Sequence, residues 1–127
     1  MTLTRLEQLT ESLAASETIS TMALQAAGAG QWFWRFDDDS LYWDDHMHEI
    51  FGTNPDDFTG HVSFFFNSVY PCDRERIGVH ITGCRRACSS YTAEFRAGPD
   101  ASPVLAFGKA TEHYMTGICL RPSNAPR

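Results

Sequence analysis

His80 and Cys84 stand four residues apart, as do Cys84 and Cys88, in a stretch that reads as helix. That spacing puts their side chains on one face. Two thiols placed like Cys84 and Cys88 suit a metal or redox work. A zinc site needs about four ligands, and the chain has no second cysteine pair to complete one. The simpler reading of Cys72, Cys84, Cys88 and Cys119 is as free thiols serving as small apolar side chains. A lone His beside an apolar stripe, as His80 is, suits a packed, hydrogen-bonded residue. A second concentration of ligating groups lies between Asp37 and Asp57, with eight carboxylates, His46, His48 and no Lys or Arg. Asp44 and His48, or Asp45 and Glu49, fall one helical turn apart and are spaced to share a divalent cation. A solvated acidic face is the alternative. Nowhere does a nucleophile stand in pattern with a base and an oxyanion donor, so no residue is assigned a catalytic role and no metal site is expected.

The elements that would position these groups can be read in order. Trp32, Trp34 and Phe36 alternate with Gln31 and Arg35, the period-two mark of a strand with one buried face. Asp37, Asp38 and Asp39 supply a polar turn, and Leu41-Tyr42-Trp43 a return strand. Asp44 is placed to cap a helix over 45–51, which Gly52 stops. Asn54-Pro55 starts a single helical turn with Phe58 as its buried anchor. Val62 to Val69, with Phe64-Phe65-Phe66, reads as a helix that loads the core and ends near Pro71. The longest helix spans 72–87, with Asp73 and Glu75 near its positive end, Arg85 and Arg86 near its negative one, and Ile77, Ile81, Cys84 and Cys88 inward. Gly78 and Gly83 each cost that helix roughly 1 kcal/mol relative to Ala, either to admit a close neighbour or to loosen it. Three strands follow at about 90–97, 103–111 and 113–120. Ahead of them all, residues 2–27 read as helix, with Leu3, Leu6, Leu9 and Leu13 on one stripe, too short for an isolated coiled coil.

Several of these stretches resemble the PAS sensory domains found at the front of bacterial histidine kinases and cyclic-di-GMP enzymes. The family's G-x-W-x-W strand is matched by Gly30 to Trp34, and its L-x-W-S-D step by Leu41 to Asp45. Its F-G helix end falls at Ile50-Phe51-Gly52, its H-P-x-D-R step at Tyr70 to Arg74, and its E-F-R strand at Glu94-Phe95-Arg96. The chain departs from the pattern at Tyr70, at Ala101 in place of the turn Gly, at Leu105 in place of Trp, and at Arg121-Pro122-Ser123, where the family carries its D-I-T exit. At Ala101 a turn built on positive φ must change shape or carry strain.

The resemblance implies an α+β PAS fold, a five-stranded antiparallel sheet with helices on one face and an extra N-terminal helix. It divides the chain into a leading helix over 1–23, a PAS domain over 24–121 and a tail over 122–127. It also implies a cavity between sheet and long helix that holds haem, flavin, a small metabolite or nothing. Ligand-pocket candidates are Trp32, Trp34, Trp43, Phe64, Ile77, His80, Ile81, Cys84, Phe95 and Phe107, with His80 as the haem-ligand candidate because several haem-binding members use a His from this helix. No N-C-R-F-L-Q-like helix is present, which argues against flavin-cysteine photochemistry. The expected role is a regulatory sensor of a small-molecule ligand, acting through a homodimer built on the N-terminal helix and the sheet. A haem-based gas or redox sensor and a ligand-free docking module are the alternatives.

Composition fits one domain. The 127 residues carry 43 % hydrophobic residues, enough for one core and too many for a disordered chain. A net charge of -6 without a basic stripe argues against nucleic acid or an anionic membrane as partner. With no signal-peptide pattern and no apolar run of about 20 residues, a cytoplasmic location is expected.

Overall fold

The computed structural model describes residue 26 and residues 28–122; the leading helix expected over 1–23 and residues 123–127 of the expected tail lie outside them. Five strands, β1 (Gly30–Arg35), β2 (Ser40–Trp43), β3 (Ser90–Ala97), β4 (Ser102–Ala110) and β5 (Tyr114–Leu120), form one sheet in the order β2-β1-β5-β4-β3, every neighbouring pair antiparallel. Between β2 and β3 the chain forms three α-helices, α1 (Asp45–Phe51), α2 (Val62–Ser68) and α3 (Pro71–Ala87), with a 3-10 turn at Pro55–Asp57. This is the α+β, five-stranded architecture expected from the sequence.

Local chemistry accounts for the boundaries. The Asp44 carboxylate accepts from the Met47 amide at 3.0 Å and caps α1, and Gly52 ends it in the left-handed region at φ 67°. Asn54 accepts from the Asp56 amide at 2.9 Å and sets the 3-10 turn. Pro71 occupies the first turn of α3, where its missing N–H costs nothing. Ala101, in the β3–β4 turn, adopts φ 50°, the strained outcome expected once Gly is replaced there. Cys88, expected on the inward stripe, instead ends α3 at φ 50° and is half-buried.

The core lies between the sheet and the helices. Trp43 is its aromatic hub, with ring centres at 4.7 Å from Phe51, 5.2 Å from His48, 5.4 Å from Phe64 and 5.5 Å from Phe58. Phe58, expected as a buried anchor, is only partly covered, stacked on this hub. Asp73 fixes α3 to β3. Its carboxylate, buried at the start of the helix, accepts from the Arg96 amide at 2.9 Å and from the Arg96 guanidinium at 3.0 and 3.1 Å, while Arg96 lies over the Tyr70 ring at 4.3 Å.

Candidate ligand site

The inner face of the sheet is large-residue at one side and almost bare in the middle. One cross-strand row runs Trp43, Trp32, Gly117, Gly108, Tyr91 over all five strands. The rows beside it put Trp34 against Leu41 and Met115, and Cys119 against Ala106. Glycine and alanine over β4 and β5 leave space that the Trp32 indole partly fills. A Cβ on Gly108 would come within 2.8 Å of that indole, and one on Gly117 would run into the β4 backbone. These two glycines are therefore required by close approach.

Above this floor an interior cavity of about 30 Å³ remains. Its walls include Trp32, Trp34, Trp43 and Met115, closed from the helix side by Met47 of α1, Val62 and Phe65 of α2 and Ile81 of α3. Tyr91, Ala106, Leu41 and Cys119 complete it. Among the described residues, the ionisable groups of the lining are the Tyr91 phenol and the Cys119 thiol. Burial pushes both far above their ordinary values, so each is neutral across the physiological range. Trp34 spends its indole N–H on the Asp39 carboxylate at 3.0 Å, and beside it Arg85 lies 4.0 Å over the Phe36 ring and 4.9 Å over the Trp34 ring, capping this end of the interior.

The sequence candidates divide. Trp32, Trp34, Trp43 and Ile81 line the cavity. Ile77, Cys84 and Phe95 are buried but pack elsewhere: Phe95 between Phe51 and Phe65, and Cys84 with its thiol toward the Ser90 carbonyl at 3.4 Å. Phe64 is half-buried against Trp43. His80 is exposed, with its ring 4.9 Å from Tyr91 and Nε2 2.9 Å from the Thr92 carbonyl oxygen, and it takes no part in the lining. The haem-ligand role read from helical spacing draws no support from that placement. Phe107, expected in the pocket, points to the opposite face of the sheet and is 38 % exposed, because β4 alternates and its inward positions are Val104, Ala106 and Gly108. Tyr91, Met115 and Cys119 were missed, although Tyr91, Ala93 and Phe95 alternate with polar residues in β3 and mark its buried face.

The acidic stretch forms no metal centre. The Asp44 carboxylate is engaged as a helix cap, and His48 turns inward, buried, its Nδ1 2.8 Å from the Thr53 hydroxyl. Among the described residues no cluster of three or more His, Cys, Asp or Glu side chains is arranged to hold a metal ion. No helix among them is long and apolar enough to cross a membrane.

Residues 40–97 match the family model described as PAS fold. The chain is similar in structure to a sensory box histidine kinase/response regulator from Burkholderia thailandensis E264, at 20 % identity and a TM-score of 0.68 over 80 % of this chain and 82 % of that one. It is also similar to a domain of a putative light and redox sensing histidine kinase from Haloarcula marismortui, at 15 % identity and 0.67 over 84 % and 99 %. A third likeness is to the N-terminal domain of a diguanylate cyclase with PAS/PAC sensor from Marinobacter aquaeolei, at 13 % identity and 0.65 over 73 % and 94 %. No curated protein matches the chain. The strand order, the helices gathered on one face, the match over residues 40–97 and the structural likenesses agree: the described residues have a PAS-like fold.

Proposed function

We propose that this domain is the sensory, non-catalytic module of a cytoplasmic signalling protein, holding a small ligand between the sheet and α3 and passing a change of packing to dimer or partner contacts. The observation that carries the reading is the interior cavity over the Gly108–Gly117 floor, walled by aromatic side chains on the sheet and by Ile81 of the long helix. A ligand pressing on Ile81 or Trp34 acts on α3 and, through the Arg85 stack, on its last turn. The similarity to a histidine kinase and to a diguanylate cyclase domain supports a signalling context. Native mass spectrometry of the 127-residue chain purified from cells, with thermal unfolding against a metabolite library, tests it. A retained mass or a saturable rise in unfolding temperature supports ligand sensing. A bare mass with no stabilising compound rejects it.

A second reading, a docking module that dimerises through the sheet, rests on the opposite face. Phe33, Tyr42, Phe107 and Tyr114 are exposed there, and Phe33 stacks on Tyr114 with ring centres 5.0 Å apart. The leading segment with its Leu stripe would join that interface. Light scattering on the wild type and on Phe33→Ser decides it: a dimer weakened by the substitution supports the reading, and a monomer in both cases rejects it.

A further inference from the structure

Resting on the reading of the cavity as the ligand site, we propose that its ligand is a neutral molecule of two or three heavy atoms carrying a hydrogen-bond acceptor. Size sets the first limit. A cavity must offer at least about 10–15 Å³ to admit one water, and this one offers about 30 Å³, bounded by strand side chains on one side and three helices on the other. Haem, flavin and most metabolites exceed it.

Charge sets the second limit. Among the described residues no Asp, Glu, Lys, Arg or His lines the space, so an ion entering it would give up its hydration without meeting a counter-charge there. Neutral molecules escape that cost.

Polar accounting sets the third. Trp32 and Tyr91, both more than nine-tenths buried and both in the lining, keep their indole N–H and hydroxyl without a hydrogen-bond partner among the nitrogen and oxygen atoms of the described residues. The Cys119 sulfur beside the Trp32 N–H is a weak acceptor that leaves most of that donor's capacity unused. A buried donor left unpaired is costly, and native interiors almost always satisfy such groups. An acceptor on the ligand relieves them. The neighbouring Trp34 N–H is already committed to Asp39, which leaves Trp32 and Tyr91 as the donors. A ligand this small binds with a dissociation constant on the order of millimolar at best, so the module would respond to abundant small solutes and ignore trace ones.

Acetonitrile and formate make a matched test, each of three heavy atoms, the first neutral with a single acceptor, the second an anion. The readout is the indole N–H resonance of Trp32 in the full chain, identified by its loss in Trp32→Phe, with Tyr91→Phe as the donor variant that keeps the ring. The expected result is a saturable shift with acetonitrile in the millimolar range, none with formate, and an affinity roughly 3- to 10-fold weaker in Tyr91→Phe. A saturable response to formate, or an unchanged affinity in Tyr91→Phe, overturns the proposal. A larger molecule retained in native mass spectra also overturns it while leaving the cavity as the ligand site. Failure of both probes together with a bare mass overturns the sensing reading as well.

Discussion

The Trp32 indole lies across Gly108, so that a methyl group on that glycine would sit 2.8 Å from its six-membered ring. The tryptophan of β1 reaches over β5 to rest on β4, and two glycines in register, Gly117 and Gly108, give it the floor to do so. Cavity shape thus depends on residues with no side chain.

Gly108→Ala is expected to cost about 1–3 kcal/mol, since the new methyl meets both the indole and the Thr116 carbonyl oxygen and neither yields freely. Urea unfolding measures it, and indole fluorescence reports displacement of Trp32. A variant as stable as wild type would show that the sheet relaxes around the methyl. Gly117→Ala, which runs into the Phe107 carbonyl, is expected to be worse.

Asp73→Asn should loosen the junction of α3 with β3. The lost charge weakens the hydrogen bonds with Arg96, whose side chain is 47 % exposed, so solvent limits the effect to about 1–2 kcal/mol. The Arg96 hydrogen bonds hold the Asp73 carboxyl well below its ordinary 3.8. Its contribution is therefore full above that value and fades as pH falls below it. Acid unfolding of the variant should have a shallower pH dependence below about pH 4, and parallel curves for the two proteins would refute the assignment.

His48 titrates the other way. Burial against Trp43, Phe58 and Phe64 lowers its pKa from 6.5 and outweighs the attraction of Asp45 and Asp44. The folded state thus binds fewer protons than the unfolded chain, and the stability tied to neutral His48 is present above pH 6.5 and lost as pH drops through and below it. The His48→Gln variant should show a flatter stability profile between about pH 7 and 5, read by thermal unfolding at each pH; a profile as steep as wild type would remove His48 as the cause.

A methyl group on Gly78 or Gly83 would meet no atom of the described residues within 4 Å beyond its own helix's local backbone, and both residues lie in the helical interior of α3. Each Gly→Ala substitution should stabilise the domain by roughly 1 kcal/mol. Denaturant midpoints check it; a loss of stability would point to a neighbour covering that face.

Ala101 holds φ 50° in the β3–β4 turn, where Gly carries no Cβ penalty. Ala101→Gly is expected to gain about 0.5–1 kcal/mol despite the added freedom of the unfolded chain. An unchanged or lower unfolding temperature would place no strain at that turn.

The sequence by itself determined the element order and most boundaries, because these rest on local chemistry: the alternation of Trp32, Trp34 and Phe36, the Asp44 cap, the Gly52 stop, and Pro71 at the head of the long helix. It also located Trp32, Trp34, Trp43 and Ile81 on the inner wall. Only the tertiary structure decided the rest. Which face of β4 turns inward depends on register with β3 and β5, so Phe107 was misplaced and Ala106 overlooked. Asp73 reads locally as a helix-terminus charge, yet its main partner is Arg96, 23 residues away. His80 sits beside an inward stripe on a helical wheel, but the Thr92 carbonyl oxygen and Tyr91, reached through β3, hold it at the surface. The cavity itself is a property of the Gly108–Gly117 pairing, a cross-strand contact that local periodicity does not encode.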